Sequence, residues 1–150
     1  MYEPPQTGPA GVRLVSAPAR PADLLLRDVH ALDPRSGLDG RRDVLVRDGE
    51  IAEIAPAGTV PAPDGCEVVE GEGRHLFPAF VDPHVHLRTP GQEHKETLES
   101  GTRAAAAGGY VAVVAMPNTE PTVDSASVLL SLREQARREA RVPVGLLAAV

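Results

Sequence analysis

The sequence predicts an α/β protein: a small β unit, then strand, helix, strand, helix and strand. Three observations predict it. Up to residue 75 the chain carries short β-like runs separated by Gly, Pro and Asp; beyond residue 76 come three runs apolar at nearly every position; between those runs lie two stretches of helical periodicity. Apolar runs without alternation suit parallel strands covered by helices, and parallel strands need crossover connections of this length. At 150 residues and 42% apolar content the chain is long enough for a packed core.

Residues 1–21, rich in Pro, Gly and Ala, lack the continuous apolar stretch of a secretory signal and are expected to be a disordered extension, with the folded chain starting further in. The β unit follows over 22–75, with runs at 23–29, 43–47, 51–55 and 67–70. Asp48-Gly49 between two of these runs is a hairpin signal, because Gly accepts the positive φ of a tight primed turn. The third segment, 76–150, opens with the run 77–86. A helical stretch over 97–107 stops at Gly108-Gly109, and a second apolar run, 110–116, leads into Pro117-Asn118. Asp124 or Ser125 caps a helix reaching about residue 140, with Val128, Leu129, Leu132 and Ala136 on one face and Glu134 spaced to pair with Arg138. The last run, 142–150, ends the sequence without turn, cap or polar tail, from which the chain is expected to be a fragment of something longer.

The formal charge of −6 and the lack of a clustered Lys/Arg stripe argue against nucleic-acid binding. No apolar run is long enough to span a bilayer, and the single cysteine, Cys66, builds no disulfide framework and reads as a small buried hydrophobe; cytoplasm is the expected compartment.

The chemistry concentrates in His84-Val85-His86-Leu87-Arg88, at the end of an apolar run and just before Pro90-Gly91. In a strand, His84, His86 and Arg88 share one side while Val85 and Leu87 face the other. Two imidazoles suit a divalent metal and a planar guanidinium suits a carboxylate, which points to metal-assisted chemistry on a small acidic substrate. A His-x-His pair alone is weak, arising about 0.13 times by chance in a chain of this composition. Its place at the end of a buried strand in a βα unit is what gives it weight. Asn118 occupies the equivalent place after the next strand and is expected beside Arg88, its amide able to donate to a carboxylate or carbonyl; the plainer alternative is a turn residue after Pro117. For Arg88 the plainer alternative is a surface salt bridge to Glu93 or Glu96. Asp82 either orients a ligand imidazole from behind or bonds backbone near Pro83. His94 and Lys95 read as solvated loop residues, and His30 and His75 lie outside the repeating unit with no expected metal role.

Three stretches then become recognisable together: Phe80-Val81-Asp82-Pro83-His84-Val85-His86-Leu87-Arg88, Pro90-Gly91-Gln92-Glu93-His94-Lys95-Glu96-Thr97 and Ala115-Met116-Pro117-Asn118-Thr119. The sequence from about residue 22 to 150 resembles the dihydroorotases of the amidohydrolase superfamily, and residues 33–49 resemble the family's N-terminal β-sandwich portion. The resemblance implies the start of a (β/α)8 TIM-type barrel preceded by part of a small β-sandwich, one or two Zn2+ ions, and reversible interconversion of L-dihydroorotate and N-carbamoyl-L-aspartate in pyrimidine synthesis. His84 and His86 match metal ligands, and His86, Arg88 and Asn118 match groups that hold the substrate carboxylate. The resemblance also implies a water activated by metal and a polarised ring amide. The remaining ligands and the catalytic aspartate belong to later strands and are expected beyond Val150, so the chain as given is expected to hold no catalytic residue and to be inactive alone. Allantoinases and dihydropyrimidinases are the nearest alternatives, and Arg88 with Met116-Pro117-Asn118-Thr119 favours dihydroorotase because those relatives need no carboxylate clamp. A third reading is a non-catalytic subunit supporting an aspartate transcarbamoylase. A homo-oligomer is also open on this resemblance.

Overall fold

The computed structural model describes residues 14–150, which divide into two compact units: Ala19–Pro78, and Ala79–Val150 together with the described part of Met1–Pro18.

The first unit is one five-stranded sheet. Strands β1 (Leu24–Asp33), β2 (Leu38–Arg47), β3 (Glu50–Pro56) and β4 (Glu67–Glu70) lie in the order β3-β2-β1-β4, and the short β5 (His75–Leu76) pairs with β1. β1, β2 and β3 are antiparallel neighbours, whereas β4 and β5 run parallel to β1. The hairpin predicted at Asp48-Gly49 joins β2 to β3. Both residues have positive φ, 51° and 78°, as a primed turn requires. Leu25, Leu45 and Val60 form a small core, with Ala55 and the half-buried Cys66 against it.

Asp43 is the buried charge of this unit. Its carboxylate is fully buried and accepts the backbone N–H groups of Asp28 at 2.9 Å and Val60 at 3.0 Å. Burial works to raise its pKa, but the N–H groups of Val60, Gly58, Asp28 and Thr59 outweigh it and hold the carboxyl below its ordinary value. A carboxylate thus closes the loop around residue 60 onto the bulge of β1 near Asp28.

The second unit is the βαβαβ arrangement that the sequence predicts. Strands β6 (Phe80–Val85), β7 (Tyr110–Ala115) and β8 (Val144–Leu146) are parallel in that order, and α1 (Leu98–Ala107) and α2 (Ala126–Glu139) connect them. Thr97 caps α1 by a reciprocal pair of bonds with Ser100, and Gly108 ends it. Leu98 from α1 packs with Leu132 and Ala136 from α2 against Val113, Ala115 and Val144 of the sheet, and Leu87 joins them from just past β6. Thr102, buried on α1, accepts the Arg141 backbone N–H at 3.0 Å and so ties the first helix to the segment entering β8.

Several expectations need correcting here. The expected extension over 1–21 lies outside the described residues as far as residue 13, but Val15 is buried and pairs with Val144 by two backbone bonds of 2.9 and 2.8 Å. An apolar residue able to extend an open sheet edge is ordered by it. Glu134 pairs with Arg137 at 2.8 Å, one residue earlier than expected, since i,i+3 neighbours also meet on a helix. Ser125 is the N-cap of α2 but makes no capping side-chain bond. The sheet is not covered on every side, because Phe80, Val81 and Val111 stay half exposed among the described residues. No helix among the described residues is long and apolar enough to cross a membrane.

Candidate functional site at the ends of β6 and β7

The end of β6 places the two histidines as alternation requires. Val85 packs against the core and Leu87 is buried in it, so His84 and His86 turn away from it, their ring centroids 5.2 Å apart and nearly edge to face. The Asp82 carboxylate accepts the His84 backbone N–H at 3.0 Å, which fixes the chain where Pro83 cannot donate. This is the backbone-bonding alternative weighed for Asp82 from the sequence.

The alternation stops before Arg88. β6 ends at Val85, and Arg88 has φ 59°, a left-handed conformation uncommon for a residue with a side chain. Its carbonyl accepts the Gln92 N–H at 3.0 Å, so the chain has already begun to turn. Arg88 therefore does not continue the histidine side of a strand, contrary to the alternation argument, because that argument holds only while the backbone stays extended. Arg88 is half-buried and forms no ion pair among the described residues, so the salt bridge to Glu93 or Glu96 is not made. The Glu93 carboxylate instead accepts the Gly91 N–H at 2.9 Å.

Asn118 meets the second histidine of the pair. Its Oδ1 lies 2.8 Å from Nδ1 of His86, across the exits of β6 and β7. The two exits are joined again where the Met116 N–H donates to the Val85 carbonyl at 2.9 Å and the Glu120 N–H donates to the Pro90 carbonyl at 3.0 Å. Gly91 makes the second junction sterically feasible: at φ 90°, a Cβ there would lie 1.8 Å from the Glu120 carbonyl oxygen. Sequence reasoning read Gly91 only as part of a turn; the Pro-Gly pair signals the turn, but nothing local signals the neighbouring loop. It also missed Thr89, which is buried with its Oγ1 lacking a partner among the described residues.

The other titratable groups singled out in the sequence lie elsewhere. His94 and Lys95 are exposed, and Lys95 Nζ donates to the Gln92 side chain at 2.9 Å. His30 and His75 belong to the β-sheet unit, where their rings are 5.0 Å apart and His30 Nε2 lies 2.6 Å from an Asp39 carboxylate oxygen. A concavity of about 290 Å³ between Pro90, Pro121 and the face of α2 carrying Ser127 and Gln135 contains no imidazole or carboxylate.

Two adjacent imidazoles fit part of a divalent-metal site. One of them already has its Nδ1 occupied by a carboxamide, as metal-binding histidines commonly have one ring nitrogen held by a neighbouring polar group. Zinc needs at least three protein ligands in a catalytic site, and no group of three His, Cys, Asp or Glu side chains suited to a metal occurs among the described residues.

A family model described as dihydro-orotase-like matches residues 73–150. The dihydroorotase of Anaeromyxobacter sp. (strain K) is 49% identical over 127 residues, 83% of this chain and 29% of that protein. The dihydroorotase of Solibacter usitatus is 46% identical over 127 residues, 85% of this chain and 29% of that protein. The chain thus spans about 29% of the length of these curated relatives. Among solved structures, the L-hydantoinase (dihydropyrimidinase) from Arthrobacter aurescens superposes with a TM-score of 0.70 at 23% identity, over 85% of this chain and 28% of that one, a likeness of fold. With more than half of its residues covered by the family model, the chain belongs to the dihydro-orotase-like family.

Proposed function

We propose that this chain supplies the first metal ligands and the substrate-carboxylate subsite of a dihydroorotase, which interconverts L-dihydroorotate and N-carbamoyl-L-aspartate. The observation that carries this reading is the convergence of His84, His86 and Asn118 at the exits of two adjacent parallel strands. That is where catalytic groups collect in barrels built from repeated βα units, and a (β/α)8 barrel preceded by a β-sandwich is the whole-protein architecture we propose. In this reading His84 and His86 hold Zn2+, as one ion or one of two. When bound, the metal supplies a Lewis acid and a nucleophilic water at neutral pH. The chain's own residues bind and orient: Arg88 pairs with the carboxylate on the dihydroorotate ring, and Asn118 donates its amide N–H to the same anion. Asp82 acts at one remove, fixing the backbone from which His84 projects. Further ligands and the catalytic carboxylate are proposed to come from outside these residues. The cytoplasm, a homo-oligomer and an aspartate transcarbamoylase partner belong to the same proposal.

Hydrolysis of another cyclic amide is the second reading, favoured by the likeness to the Arthrobacter hydantoinase fold. Arg88 separates the two, since a hydantoin or dihydrouracil ring carries no carboxylate to clamp. In the natural full chain, metal analysis with a dihydroorotate assay should find zinc and turnover. Arg88→Ala should raise KM for dihydroorotate about 10- to 100-fold, the equivalent of one charge-assisted bond. An unchanged KM, with faster turnover of dihydrouracil than of dihydroorotate, would move the protein to the second reading.

A further inference from the structure

We propose that Asn118 is a positioning residue for His86, setting the tautomer in which that imidazole can serve as a ligand. Oδ1 of Asn118 lies 2.8 Å from His86 Nδ1. A carboxamide oxygen only accepts, so in the neutral ring this contact requires the proton on Nδ1 and leaves the lone pair on Nε2. The opposite orientation of the amide would donate to Nδ1, move the proton to Nε2 and remove the second nitrogen from coordination. The choice of amide orientation is therefore the choice between a ligand and a non-ligand.

The backbone around Asn118 holds it for this role. Its neighbour Thr119 donates its N–H to the Pro117 carbonyl at 2.8 Å, and Val123 donates to the same carbonyl at 3.0 Å. Glu120 is bonded to Pro90 on the β6 exit, where Gly91 alone permits the approach. The exposed Asn118 side chain thus reaches His86 from a loop pinned on both sides, and little further ordering is needed to form the bond. With Oδ1 engaged, the two amide hydrogens on Nδ2 remain for an anionic group. One side chain would then orient a metal ligand through its oxygen and receive a carboxylate through its nitrogen.

The inference rests on the reading of His86 as a ligand, and its test separates the two ideas. In the natural full chain without metal, nitrogen-detected NMR of the His86 ring should show Nδ1 protonated. Asn118→Ala and Asn118→Leu should lose that preference and weaken Zn2+ affinity, measured by competition with a chromophoric chelator, about 10- to 100-fold. Asn118→Asp keeps an acceptor and loses the donor. It should retain the tautomer and zinc affinity within a few-fold while raising KM for dihydroorotate, with kcat changed less. Unchanged tautomer and affinity in Asn118→Ala would overturn the proposal, as would an affinity in Asn118→Asp as low as in Asn118→Ala. Asn118-dependent zinc binding in a protein that does not turn over dihydroorotate would support the positioning role and sink the proposed reaction.

Discussion

The two units of this chain use charge in opposite ways. In the sheet of Leu24–Leu76 the apolar core is small, and a fully buried carboxylate, Asp43, gathers backbone N–H groups that would otherwise lack partners. In the βαβαβ unit the core is Leu, Val and Ala drawn from both helices and the sheet, and its polar groups meet outside it, at the exits of β6 and β7. A fully buried carboxylate with both oxygens bonded to main-chain donors holds a fold together and is closed to a ligand from solvent. Imidazoles at a strand exit contribute little to the core and keep a lone pair for chemistry. Both units contain a pair of close histidines, but in the sheet His30 Nε2 is engaged by the Asp39 carboxylate, whereas His84 and His86 stand together at a strand exit.

The largest expected effect tests the apolar half of that comparison. Leu98 is fully buried between α1, α2 and the sheet, so Leu98→Ala should cost about 3 kcal/mol through lost transfer energy and a residual cavity. Denaturant unfolding followed by hydrogen exchange should show protection lost from Tyr110–Ala115 and kept in Leu38–Arg47. Equal loss in both strands would mean that the two units unfold as one, and the contrast would be of composition only.

Next in size is the polar half. Asp43→Ala leaves the Asp28 and Val60 N–H groups without their acceptor, and should cost about 2 kcal/mol, concentrated in the β-sheet unit. The pH dependence follows from the depressed folded pKa. The stabilisation is fully present above the ordinary carboxyl value of 3.8 and is lost as pH falls through the lower folded value. Acid titration of the wild type should therefore lower the stability of this unit as pH falls through that value, and the Asp43→Ala variant should have lost that dependence. A variant as stable as the wild type at neutral pH would show that water or a rearranged loop supplies the missing acceptor.

The parts legible in the sequence were those governed by local periodicity. Thr97 through Gly109 carries a cap, a helical face and a glycine stop, and α1 lies there; Asp48-Gly49 carries its own turn geometry; His84 and His86 share a side because they are two positions apart in extended chain. What escaped were contacts decided by distant chain. Val15 is ordered by a strand edge 129 residues away, a partner that no local pattern names. The bond between Asn118 and His86 is another: the length of one βαβ repeat places Asn118 after β7 but names no side-chain partner for it. The left-handed turn at Arg88 escaped as well, because Arg is not a residue that advertises positive φ. Local pattern thus reaches the elements that carry the candidate site, whereas the contacts among its side chains depend on how the two strand exits meet.

The smallest expected effect concerns Glu99, and it shows why a direction of shift is not a measure of stability. A side-chain hydrogen bond from Arg141 and its charge hold the Glu99 carboxyl below its ordinary value, the same direction as at Asp43. The cause differs in kind. Asp43 is enclosed and bonded by rigid backbone, whereas the Glu99 and Arg141 side chains are 47% and 53% exposed, so water and salt compete for both ends of the pair. Glu99→Gln should leave the unfolding midpoint unchanged within error at physiological salt, and any loss visible at low salt should vanish as salt is added. By linkage the pair's contribution would disappear as pH falls below the ordinary carboxyl range, the same window as for Asp43, but the acid transition should be indistinguishable between wild type and Glu99→Gln. A salt-independent destabilisation by Glu99→Gln would mean that the charge of this pair is held in a drier setting than its exposure allows, and the opposition between a unit ordered by buried charge and one ordered by apolar packing would fail.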